Sequence, residues 1–68
     1  MKTKKSFDLA VGDEIYYLIT KRRVIAVSEI WYHRSLKMNA KTITITSPYT
    51  KLGTTYMTVF EDDVISFY

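Results

Sequence analysis

The 68-residue chain has no cysteine, one histidine, one proline and two glycines. Without cysteine there is no disulfide and no thiolate metal site. With His33 alone, a zinc site would have to be built mainly from carboxylates. The two glycines, Gly12 and Gly53, lie far apart, so no glycine-rich phosphate loop exists. Long apolar runs are missing as well. The longest, Ile15-Tyr16-Tyr17-Leu18-Ile19, is far short of the roughly 20 residues that span a bilayer as a helix. Lys2, Lys4 and Lys5 look like the charged start of a signal peptide, but Asp8, Gly12, Asp13 and Glu14 keep an apolar run from forming after them. These absences predict a soluble cytoplasmic protein without membrane association, cofactor or metal.

The length allows one domain. A chain this short buries only about 60% of the surface its unfolded form exposes. Ten Lys and Arg against seven Asp and Glu give a net charge of +3. That balance permits a polyanionic partner without requiring one.

What is present alternates with period two. Residues 1–6 read as a flexible basic tail, and residues 7–68 as a single domain. Gly12-Asp13 is a turn signal leading into a first strand over 14–20, with Ile15, Tyr17 and Ile19 inward and Tyr16 and Leu18 outward. Lys21-Arg22-Arg23 reads as a charged loop or strand start. A second strand over 23–33 is rich in β-branched residues. Its periodicity slips at Val24-Ile25, which predicts a bulge that moves the inward face to Ile25. A helix over 26–39 is the rival reading, and a helical turn near Ser35–Met38, ended by Asn39, fits either. Lys41-Thr42-Ile43-Thr44-Ile45-Thr46 alternates without error, isoleucine inward. Pro48 stops it. A fourth strand over 54–60 puts Met57 and Val59 inward and Tyr56, Thr58 and Phe60 outward. Glu61-Asp62-Asp63 suits a 3₁₀ turn before a last strand over 64–68.

Five short antiparallel strands must close or stack to hide their edges. The reading is all-β: a five-stranded antiparallel small barrel whose first and last strands meet. Val11-Gly12-Asp13-Glu14-Ile15 and Glu61-Asp62-Asp63-Val64 resemble the opening and closing phrases of the SH3-like barrel superfold. The chain also looks like small SH3-like or KOW-like barrels encoded by bacteriophages. The resemblance implies the fold over about residues 9–68. It does not carry proline-rich peptide binding, because the Ala-Leu-Tyr-Asp-Tyr-type phrase of signalling SH3 domains is absent. Nor does it carry the KOW glycine, since none lies between residues 13 and 52.

No catalytic constellation stands out. His33 reads as a surface histidine, and Glu61, Asp62 and Asp63 as a solubilising turn. The ten aromatics are too many for so small a core. Tyr16, Trp31, Tyr32 and Tyr56 are expected at the surface, interleaved with Lys21, Arg22, Arg23, Arg34 and Lys37. Tyr, Trp and Arg dominate binding hot spots. The set predicts a non-enzymatic interaction module that binds a protein partner, on the pattern of a phage protein that modulates its host. The alternative is a nucleic-acid-binding module, with the same aromatics stacking on bases and the loop Lys and Arg on phosphates. A homodimer, through an exposed edge or through the Tyr16, Leu18 and Tyr56 surface, is a further expectation.

Overall fold

The computed structural model describes residues 2–17 and 20–67, and the side chains of 3–17 and 20–66. The inward assignment of Ile19 and the outward one of Leu18 lie outside them, as does the strand position of Tyr68. Among the described residues the chain is all-β, with seven strands: β1 (Lys2–Lys5), β2 (Glu14–Tyr17), β3 (Thr20–Val27), β4 (Trp31–His33), β5 (Met38–Thr46), β6 (Thr54–Phe60) and β7 (Val64–Phe67). A 3₁₀ turn, Ser6–Asp8, follows β1. No helix of the described residues is long and apolar enough to cross a membrane.

The strands form two antiparallel layers that share β3. The first runs β1-β7-β2-β3, and the second places β5 between β6 on one side and β3 and β4 on the other. β3 passes from one layer to the other at a register shift between Val24 and Ala26. A bulge bends a strand and increases its twist, which is what the transfer requires. The bulge expected at Val24-Ile25 is therefore present. The inward face does not move to Ile25, however. Ile25 is the looped-out residue, 41% exposed, and the core face resumes at Val27.

The core lies between the layers: Leu9, Ile15, Val24, Ile43, Ile45 and Val59, with Phe7, Tyr17, Val27, Met57 and Ile65 packed against it. The inward readings of Ile15, Tyr17, Ile43, Ile45, Met57 and Val59 hold, because each alternation in sequence matches the pleat.

Several expectations are corrected. The barrel is not closed. Ile15 of β2 does pair with Phe67 of β7, so the first and last strands of the expected five meet. Yet among the described residues no ladder joins β6 to β1 or β7. The short turn at 60–63 swings the chain from one layer into the other instead of folding β7 back on β6. Ser6 N–H donates to the Asp63 carbonyl at 2.9 Å, continuing the β1–β7 pairing, and Lys41 Nζ of β5 donates to the Phe7 carbonyl at 2.9 Å, tying the second layer to the first. The basic tail is a strand: Lys2–Lys5 pair in register with Val64–Phe67, and Ser6 is buried. Backbone pairing needs no apolar side chain, so composition did not reveal it. The 3₁₀ turn sits at Ser6–Asp8, whereas Glu61-Asp62-Asp63 belong to a hydrogen-bonded turn from Phe60 to Asp63. Of the two readings of Lys21-Arg22-Arg23, loop or strand start, the strand start holds: they lie at the beginning of β3. The expected second strand is broken into β3 and β4 by residues 28–30, and no helix forms over 26–39.

The two acidic phrases are one device used twice. At Ala10–Asp13 the Asp13 amide donates to the Ala10 carbonyl at 3.1 Å, and the Ala10 amide donates to Asp13 Oδ2 at 2.9 Å. At Phe60–Asp63 the same pair of bonds measures 3.0 and 2.9 Å. Each turn delivers the chain into a strand, β2 or β7. Gly12, at φ 96°, takes the third position of the first turn, where a side chain would be strained.

Candidate interaction surface

Along β5, Ile43 and Ile45 face the core, so Thr42 and Thr44 face out. The pairing register carries that outer face across its neighbours in three rows. Ala26, Thr44 and Tyr56 form the first. Ser28 lies beside Thr42, which pairs with Thr58, in the second. Trp31, Ala40 and Phe60 form the third. None of these residues is charged.

The third row is the most built. Ala40 is fully buried although it lies on the outer face. The cover is aromatic: the Trp31 and His33 rings lie 5.7 Å apart, and His33 meets Phe60 edge-on at 5.6 Å. Such offset and edge contacts are the preferred ring geometries. Trp31 Nε1 donates to Thr42 Oγ1 at 3.1 Å, which fixes the indole on the sheet and leaves it 38% exposed. His33 Nδ1 accepts the Leu36 amide at 3.2 Å. Tyr56, 70% exposed, stands at the other end of the face.

Charge sits at the margins. Arg23 is exposed beyond the Tyr56 row, its amide bonded to Thr46 Oγ1 at 3.0 Å. Arg34 and Lys37 occupy the turn that joins β4 to β5. Among the described residues none of these three has a carboxylate within ion-pair distance. The turn is completed by Lys37 at φ 53°, the left-handed position that had been expected of Asn39. On the acidic side, Asn39 Nδ2 donates to Glu61 Oε2 at 3.3 Å.

The nine residues singled out from sequence do not form one site. Trp31 and Tyr56 share the face, with Arg34 and Lys37 at its end and Arg23 at the other. Tyr32 alternates to the opposite side of β4 from Trp31 and pairs with Asn39. Tyr16 and Lys21 are paired on the other layer, where Lys21 Nζ meets Glu14 at 3.1 Å. Arg22 is no surface ligand at all. It is 3% exposed, because β3 alternation points it the same way as Val24. Its Nε donates to Thr20 Oγ1 at 2.7 Å and a terminal nitrogen to the Thr46 carbonyl at 3.1 Å. Its guanidinium lies 5.5 Å from the Tyr17 ring centre and 5.6 Å from that of Tyr49. Arg22 thus plugs the end of the core, its charge set against two aromatic rings.

Sequence marked His33 as a surface histidine but missed its packing on Trp31 and Phe60, and with it the joining of those two rings. The outward alternation of β5 and β6 already exposed Tyr56, Thr58 and Phe60. The β4–β5 register, set by the turn at 34–37, is the piece that sequence alone did not supply.

Among the described residues no group of three or more His, Asp or Glu is arranged to hold a metal ion. Asp63 is spent on the Phe60 amide and Glu61 on Asn39. Comparison with protein-family models, with curated proteins and with solved structures gives no significant match.

Proposed function

We propose that this protein is a non-enzymatic interaction module with an SH3-like strand order that docks a protein partner on the outer face of β3, β5 and β6, with Trp31 and Tyr56 as anchors. The neutrality of the three cross-strand rows carries the reading. An aromatic and threonine surface with charge confined to its margins has the make-up of a protein interface: anchors at the centre, a polar rim around them. The pairing of β2 with β7 supports the SH3-like assignment.

A protein captured by the wild type should be lost by Tyr56→Ala, whose side chain is on the face. It should be kept by Leu52→Ala, also exposed but in the loop before β6. Retention by Tyr56→Ala, or loss by both, contradicts the reading.

A second reading rests on Arg23, Arg34 and Lys37, the cations at the two ends of the face. They could hold a single-stranded nucleic acid whose bases stack on Trp31 and Tyr56. Such binding weakens steeply with salt, so a titration at about 50 mM salt gives it the best chance. Absence of binding to single strands and structured RNA there rejects it.

A further inference from the structure

We infer that β6 is a self-pairing edge, and that two copies of this chain join along it in antiparallel register about Met57. Among the described residues three strands carry a free edge, and they are protected unequally. β1 reads Lys-Thr-Lys-Lys, and edge lysines oppose pairing. β4 is three residues long. β6 is seven residues, Thr-Thr-Tyr-Met-Thr-Val-Phe, with no charge, proline or glycine. It pairs only with β5 among the described residues. An uncharged, β-prone edge of this kind is a template for another strand.

The hydrogen bonds define which groups are free. Ser47 N–H donates to the Gly53 carbonyl at 2.8 Å, and Glu61 N–H to the Asn39 carbonyl at 3.2 Å. Bonds at both ends therefore fall on the odd residues of the β6 side. Alternation turns the amides and carbonyls of Thr54, Tyr56, Thr58 and Phe60 away from β5. The two ends of this row are already capped. Thr50 Oγ1 donates to the Thr54 carbonyl at 2.7 Å, while Asp63 accepts the Phe60 amide and donates its own to the Phe60 carbonyl. Tyr56 and Thr58 are left in the middle, each with an amide and a carbonyl pointing outward.

Two adjacent free residues, two apart, suit a two-fold axis at Met57. Tyr56 of one copy then pairs with Thr58 of the other, and the reverse, closing four backbone hydrogen bonds. The caps at Thr54 and Phe60 stop the ladder on both sides. No charged residue lies within the paired segment, Thr54–Phe60, so no like charges face each other there. The pairing is isologous and closes as a dimer. It stands independently of what the outer face binds.

Sedimentation of the purified chain from micromolar to about 1 mM spans the weak end of specific association. The expected result is a shift from monomer to twice the monomer mass, with amide exchange at Tyr56 and Thr58 slowing as concentration rises. Thr58→Pro removes an outward amide without touching the β5 ladder, and Thr58→Lys sets two cations diagonally across the axis. Each should leave a folded monomer, and if Thr58→Pro does not fold, Thr58→Lys decides. A wild type that stays monomeric, one that grows beyond dimer, or a dimer that survives in the folded variants overturns the inference.

Discussion

Ser28 satisfies both backbone groups of Thr42: its amide donates to the Thr42 carbonyl at 3.0 Å, and its hydroxyl accepts the Thr42 amide at 2.8 Å. This pair bridges the point where β5 changes partner from β3 to β4. It lets residues 28–30 leave the sheet while β5 runs on without an unmet amide. Ser28→Ala keeps the donor and removes the acceptor. It should cost about 1 kcal/mol, the worth of a partly solvated hydrogen bond, read as a lower midpoint in urea. It should also loosen Trp31, whose indole is tied to the same Thr42.

Arg22 should behave as a core residue. Lysine keeps the charge but loses the planar group that lies against Tyr17 and Tyr49. Arg22→Lys is expected to destabilise by about 1–2 kcal/mol and Arg22→Ala by more, since its hydrogen bonds to Thr20 and Thr46 also go. Thermal unfolding orders the three proteins.

Asp13 accepts the Lys4 ammonium at 2.9 Å and the Ala10 amide at 2.9 Å. These bonds, the Lys4 one foremost, hold its carboxyl below the ordinary value of 3.8. Proton uptake sets the sign. As pH falls the unfolded chain takes up this proton first, so the contribution is full above the ordinary value and drains away below it. Asp13→Asn should flatten that part of the stability profile below about pH 4 and leave its slope near neutrality unchanged. Urea midpoints from pH 3 to pH 7 measure it.

Lys37 holds a left-handed backbone that costs a residue with a side chain roughly 1 kcal/mol. Lys37→Gly or Lys37→Asn should therefore raise stability by several tenths of a kcal/mol or more, one of few changes here expected to stabilise. Gly12→Ala should do the opposite by about 1 kcal/mol, because φ is 96°.

The core is small, and its parts are correspondingly costly to remove. Ile43→Ala should lose about 2–5 kcal/mol. Against a total of roughly 3–10 kcal/mol for a chain this size, that removes a large share of the stability, and all of it at the low end of the range. Near-ultraviolet circular dichroism at room temperature reports it.

Local alternation made β5 and β6 legible to within three residues at each end, and it placed Ile43, Ile45 and Val59 in the core. The slip at Val24-Ile25 revealed the bulge but not its direction, because which residue loops out depends on β5 across from it. β1 was illegible: its lysines carry no apolar pattern, and it forms by pairing with a strand at the far end of the chain. Arg22 was misread for a related reason. A guanidinium counts as solvent-facing in any composition argument until Tyr17 and Tyr49 are seen against it. The candidate surface was half legible. Tyr56 and Trp31 were marked as outward, but their common face depends on the β4–β5 register.

Two tyrosines offer the most direct test of that face. Tyr56 on β6 and Tyr49 in the loop after β5 are similarly exposed, 70% and 77%, but only Tyr56 lies on the outer face. A photoreactive phenylalanine analogue placed at each in turn measures contact at that position. Adducts with self are separated by mass from adducts with another protein. The account predicts a discrete foreign-protein adduct from position 56 and none from position 49. A foreign-protein adduct from position 49 alone, or none from either, would contradict it.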